Sequence, residues 1–129
     1  MTILVAYVPR PEGQAALDKG IEMAKLVNED LVVVNASAAT GNDDAIASES
    51  ETAHIQEQLL ASGIKADFLK FARGYSPHEE IAEVAKERNA SMIVIGLRKR
   101  SPVGKLFLGS VAQDILLSVS CPVLAVKAN

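Results

Sequence analysis

The sequence predicts an α/β fold: a five-stranded parallel open sheet, strand order 3-2-1-4-5, with two helices on each face. Three observations carry that prediction. Five short apolar runs, rich in Val, Ile and Leu, alternate along the chain with four stretches of helical periodicity. Several of these runs are apolar at nearly every position, as strands buried on both faces must be. The connections hold Pro, Gly, Ser and Asp, with no break in composition that would divide 129 residues into two domains. About half the residues are apolar (49%), only 4% are aromatic and none is Trp, so the core is aliphatic.

Residues 2–8 (TILVAYV) form the first buried strand, and Pro9, Pro11 and Gly13 are expected to turn the chain. Residues 14–27 then place Leu17, Ile21 and Ala24 on one face of an amphipathic helix. Residues 31–36 (LVVVNA) repeat the buried-strand pattern, and the small, acidic stretch 37–47 is expected to be a loop. A second helix is expected over 48–61, with Ile55, Leu59 and Leu60 inward and Gly63 as its C-cap. Residues 64–71 (IKADFLKF) alternate in part, with Ile64, Ala66 and Phe68 on one side, which suits an edge strand. Ser76-Pro77-His78-Glu79 reads as a capping box with Pro in the first helical position, opening a helix to about Asn89 with Ile81, Val84 and Ala85 inward. Residues 92–95 (MIVI) are a buried strand ending at Gly96, and a polar, basic loop is expected to follow. Gly109-Ser110 opens the fourth helix, with Ser110 and Gln113 at capping-box spacing, and residues 122–126 (PVLAV) are the last strand.

The formal net charge is −3, unevenly spread. Arg98, Lys99, Arg100 and Lys105 stand close together, leaving nine of the thirteen Lys and Arg against sixteen Asp and Glu elsewhere. One basic loop on an acidic body suits a local anion site, not the wide positive face that binds nucleic acid. The single cysteine, Cys121, excludes an internal disulfide and a cysteine metal cluster. No signal peptide and no membrane span are expected, and a cytoplasmic location follows as the expectation.

Parallel open sheets bind ligands beyond the carboxyl ends of their strands, where the strand order reverses. That directs attention to residues 7–9, 35–36 and the chain from Ile95 onward. No G-x-G-x-x-G follows the first strand. Gly104-Lys105 resembles part of a P-loop, but Leu106 stands where Ser or Thr is required and Lys99 where the first Gly is required. The informative segment is 96–111 (GLRKRSPVGKLFLGSV). It leaves a strand's carboxyl end, crosses a basic stretch and ends at a helix N-terminus, where the N–H groups of Gly109, Ser110 and Val111 can face an anion. Two readings stand at this point: an anion site, or a plain helix start with its basic residues in solvent. His78 and His54 read as surface residues. No G-x-S-x-G elbow or nucleophile triad is present, so no catalytic residue is assigned. Asp43 and Asp44 read as solvated loop carboxylates, and Cys121 as a small buried residue ahead of Pro122.

This layout resembles the universal stress protein family, whose members carry Gly, two residues, Gly, nine residues and Gly-Ser or Gly-Thr. Here Gly96, Lys99 and Gly109-Ser110 occupy those positions, with Lys99 replacing the second glycine. The opening strand ILVAYV, the Gly74-Tyr75-Ser76-Pro77 turn and the closing CPVLAV extend the resemblance over nearly the whole chain. The resemblance implies a Rossmann-like sheet of the adenine nucleotide α-hydrolase type. It also implies a site for ATP or another adenine nucleotide. Carried over by position, base and ribose would lie at Tyr7, Val8, Pro9 and Ala36. The phosphates would lie along Ile95, Gly96, Arg98 and Lys99 and at Gly109, Ser110, Val111 and Ala112. The family's usual Asp after the first strand is replaced by Val8, which removes that residue's hydrogen bonds and magnesium contacts. Lys99 either crowds the phosphates or pairs with them. The resemblance further implies a homodimer formed through the last strand, at Pro122, Val123, Leu124, Ala125 and Val126. The implied function is that of a nucleotide-binding stress-response regulator. The alternatives are a nucleotide-free dimeric adaptor acting on a protein partner and, behind it, a slow ATP hydrolase.

Overall fold

The computed structural model describes residues 1–39, 44–100, 105–107 and 109–128. In chain order the elements are β1 (Thr2–Ala6), α1 (Pro11–Val27), β2 (Asp30–Ala36), α2 (Glu49–Ser62), β3 (Ala66–Phe71), α3 (Pro77–Glu87), β4 (Ala90–Arg100), β5 (Lys105–Phe107), α4 (Ser110–Ser118) and β6 (Val123–Lys127). Five strands pair in parallel in the order β3-β2-β1-β4-β6, which is the expected 3-2-1-4-5 sheet. The order reverses between β1 and β4.

Both sheet faces are covered, as the apolar strands require. Ile3, Val5, Leu31, Val33 and Val94 meet Ala16, Leu17 and Ala24 of α1 and Ile55 and Leu59 of α2. Leu4, Val32, Val34, Ile93 and Ile95 meet Ile81 and Val84 of α3 and Ile115 of α4. Alternate residues of one strand thus serve opposite cores.

The structure corrects several local expectations. Pro9, Pro11 and Gly13 do not form one long turn. Pro11 is the first residue of α1, where its missing N–H costs nothing, and Gly13 lies inside the helix. Leu60 is 84% exposed, because it follows the buried Leu59 and one helical step carries it off the inner face. Ser76 is the N-cap of α3 by position, but its hydroxyl donates to the Glu79 carboxylate and leaves no side-chain cap on the backbone. Ser110 is the first helical residue of α4 instead of its cap. Gly109 holds that place, and its carbonyl accepts from Gln113 N at 3.0 Å. A true capping box opens α2 instead, with Ser48 and Glu51 each bonding the other's backbone N–H. Gly63 ends α2 at φ 76°, as expected of the C-cap.

The strand expected to stop at Gly96 runs on to Arg100 and folds back. Arg98 pairs with Phe107, Lys99 with Leu106 and Arg100 with Lys105 in an antiparallel hairpin. The backbone beyond the sheet edge finds partners in its own return segment. The expected loop over 37–47 is described except at 40–43, so Asp43 lies outside the described residues. Asp44 is exposed. Edge strand β3 is tied to the C-cap of α3 by Asp67 and Arg88, 2.8 Å apart. The β3–α3 turn is anchored by Arg73. Its guanidinium donates to both oxygens of the buried Glu80, at 2.8 and 2.7 Å, and stacks on Phe71 and Tyr75.

Candidate functional site

A cleft of about 580 Å³ opens at the carboxyl ends of β1, β2 and β4, at the point where the strand order reverses. Its volume suits a small-molecule ligand. Ala6, Tyr7 and Val8 at the end of β1, Ala36 and Ser37 at the end of β2, and Ile95 and Gly96 of β4 line it from the sheet. The starts of three helices complete the wall. They contribute Glu12 and Gly13 of α1, Pro77 and Ile81 of α3, and Ser110 to Ala112 of α4.

Two glycines bring α1 close enough to close this wall. A Cβ on Gly13 would stand 1.8 Å from the Val8 carbonyl oxygen, and one on Gly96 would stand 1.9 Å from the Glu12 carbonyl oxygen. The first turn of α1 therefore rests directly on the backbone of β4 and of the segment after β1. The buried Asn35 fixes the opposite side. Its amide donates to the carbonyls of Tyr7 (3.0 Å) and Ala45 (2.8 Å) and accepts from Ala47 N (2.7 Å). This ties the chain leaving β2 to the end of β1. Lys70 of β3 reinforces the same segment through the Ala47 carbonyl and the Thr52 hydroxyl, each at 3.0 Å.

The cleft is largely apolar, and the charged residues that line it among those described are Arg10, Glu12 and Arg98. Glu12 sits in the first turn of α1, where the helix dipole favours a carboxylate. Its Oε2 stands 4.0 Å from Arg98 Nε, and the two side chains are 13% and 55% exposed. At the facing wall, α4 begins at Gly109 with no side-chain cap, so its first-turn N–H groups are directed out of the helix end toward the cleft. A cationic side chain, a helix N-terminus and an apolar slot together suit a ligand with one flat apolar part and one anionic end. Among the described residues, no group of three or more His, Cys, Asp or Glu is placed to hold a metal ion.

Of the twelve residues assigned to the site from sequence, ten line this cleft: Tyr7, Val8, Ala36, Ile95, Gly96, Arg98, Gly109, Ser110, Val111 and Ala112. The Tyr7 ring packs edge-on against Phe68, centroids 6.3 Å apart, in the core beneath α1 and α2. Burial, with the charge of Glu51, raises its phenol pKa above the ordinary value. Pro9 instead faces a separate concavity beside Asp44 and Ser48. The backbone of Lys99 is paired with Leu106 in the hairpin. The sequence reading missed Arg10, Glu12, Pro77 and Ile81. Reading Pro11 as a helix start would have placed Glu12 in a first turn facing the sheet. His78, expected at the surface, is half-buried, with Nδ1 3.6 Å from Asp114 Oδ2 across α3 and α4, whereas His54 is exposed.

The profile of the universal stress protein family matches residues 1–127. A universal stress protein from Mycolicibacterium smegmatis is 41% identical over 128 residues, spanning 98% of each chain. Among solved structures, a universal stress protein from Archaeoglobus fulgidus superimposes with a TM-score of 0.79 at 30% identity, covering 98% of this chain and 97% of that one. A second structure from that organism, a universal stress protein in complex with dAMP, gives a TM-score of 0.74 at 23% identity over 98% and 96% of the two chains. Sequence and fold agree over the full length, and the chain belongs to the universal stress protein family.

Proposed function

We propose that this protein binds an adenine nucleotide in the cleft at the β1/β4 reversal and acts as a nucleotide-responsive stress regulator, not as an enzyme. One observation carries the reading. The N-terminus of α4, without a side-chain cap, and Arg98 both line a largely apolar slot. The base would occupy the apolar part between the ends of β1 and β2. The phosphates would lie at Gly109, Ser110 and Val111, where N–H donors and the helix dipole stabilise an anion. The dAMP-bound relative shares the fold and supports the ligand class. No nucleophile–base pair lines the cleft among the described residues, which favours binding over turnover.

The assembly belongs to the same reading. Strand β6 is the last strand of the parallel path, hydrogen-bonded to β4 on one side, with Pro122 and Ala125 exposed. An unprotected edge favours pairing with a second copy across a two-fold axis. No described helix is long and apolar enough to cross a membrane, and we place the protein in the cytoplasm. A second reading, a nucleotide-free dimeric adaptor, is favoured by Val8, whose apolar side chain stands where the family usually carries Asp.

The test is mass spectrometry of nucleotide released from freshly purified, denatured protein, followed by calorimetric titration with AMP, ADP and ATP. Released adenine nucleotide, or saturable heat with any of the three, supports the site. Neither signal at millimolar ligand assigns the protein to the adaptor class.

A further inference from the structure

Glu12 puts a negative charge into a cleft whose other charged lining residues, among those described, are Arg10 and Arg98. Its position is imposed by the fold. The Glu12 carbonyl lies against Gly96, so closely that no side chain fits between them, and the carboxylate is 13% exposed beside Arg98. Its place in the first turn of α1 sets the carboxylate at the positive end of that helix. An anionic ligand therefore meets an arginine whose charge is already partly balanced, next to a carboxylate that repels phosphate.

Resting on the adenine-nucleotide reading of this cleft, we propose that Glu12 is a specificity-determining residue that limits the number of phosphates the site accepts, selecting nucleoside monophosphates over triphosphates. The first phosphate takes the N–H groups of α4 and one face of Arg98. Each further phosphate adds about one negative charge in the same confined space and meets Glu12 at short range. The apolar part of the ligand is indifferent to this charge, so the effect grows with phosphate number and not with the base.

The experiment compares calorimetric dissociation constants of AMP, ADP and ATP, without magnesium, for the wild-type chain, Glu12→Gln and Glu12→Ala. Glutamine keeps the shape and removes the charge. Alanine shows whether a new amide donor, not the lost charge, causes any gain. The wild-type chain is expected to bind AMP more tightly than ATP. Both variants are expected to move the ATP-to-AMP ratio toward ATP by about tenfold, with ADP between. Adding Arg98→Gln to Glu12→Gln should cancel most of that gain. A ratio unchanged in both variants, with measurable binding in all three proteins, overturns the role of Glu12 and leaves the nucleotide site standing. Absence of binding by all three proteins at millimolar nucleotide overturns the underlying reading and this inference with it.

Discussion

Replacing Gly96 by alanine tests how the cleft is built. The added methyl would stand 1.9 Å from the Glu12 carbonyl oxygen and 2.5 Å from its carbonyl carbon. Both are backbone atoms near the start of a 17-residue helix, so no rotamer change relieves the clash. Even the closest contact that real Cβ atoms make, 3.0 Å, requires the α1 backbone to retreat by about 1 Å. That retreat loosens the α1–β4 junction along its length. Overpacking of one carbon costs about 1–3 kcal/mol, and a backbone that cannot yield locally puts this case near ~3 kcal/mol. For a chain of this size the melting temperature should fall by roughly 10 °C. Gly63→Ala provides the contrast. Gly63 has φ +76° and nothing within 4 Å of the new Cβ, so only the left-handed backbone penalty of about 1 kcal/mol applies. Urea unfolding of the three proteins by circular dichroism measures both costs. A Gly96→Ala protein within 1 kcal/mol of the wild type, or more stable than Gly63→Ala, would refute the close-approach argument.

Two further outcomes follow from the same contacts. Asn35→Leu keeps the volume but abandons two carbonyls and one N–H in a buried setting, so urea stability should drop by about 3 kcal/mol; a loss below 1 kcal/mol would mean that the loop reorganises to satisfy them. The Tyr7 phenol has its pKa raised by burial and by Glu51, so the folded state keeps the proton above pH 10 while the unfolded state releases it. Stability from this group is fully present below the unfolded pKa and is lost as pH rises through the folded value; Tyr7→Phe should flatten the alkaline limb of a stability–pH profile, and equal slopes in both proteins would contradict the shift.

Legibility in the sequence divided along physical lines. Strands buried on both faces show as unbroken apolar runs, so 31–36 and 92–95 announced the sheet and its two covered faces. The Gly96-to-Ser110 spacing located the cleft, because a strand end and a helix start joined by a fixed length of chain can meet in few ways. Long-range pairings left no local trace. Asn35 is one polar residue inside an apolar run, and its partners are 28, 10 and 12 residues away. Arg73 and Glu80 find each other only once the β3–α3 turn is made. The three-residue strand β5 is too short to carry a pattern and exists because β4 outruns its neighbours. Pro11 misled most: read as a turn residue it concealed the start of α1, and with it Glu12.

The two helix starts that face each other across the cleft explain why this site differs from the usual family arrangement. At α4 the cap is a glycine without a side chain, so the positive end of the helix stays open to an incoming anion. At α1 the cap is Arg10, also without a side-chain cap bond, but Glu12 in the first turn offsets that positive end from within the chain. The cleft therefore has an uncapped helix start at α4 and, at α1, one offset by Glu12, whose carboxylate stands 4.0 Å from Arg98 Nε. Val8 removes the carboxylate that family members usually carry just after the first strand, and Glu12 restores a carboxylate to the same cleft from the following helix turn. The negative charge has moved from the end of β1 to a point beside Arg98. In the binding mode proposed above, a charge at the end of β1 would face the base and ribose, whereas a charge beside Arg98 would face the phosphates. On that proposal, the displacement would turn a contact that recognises the nucleoside into one that counts its phosphates.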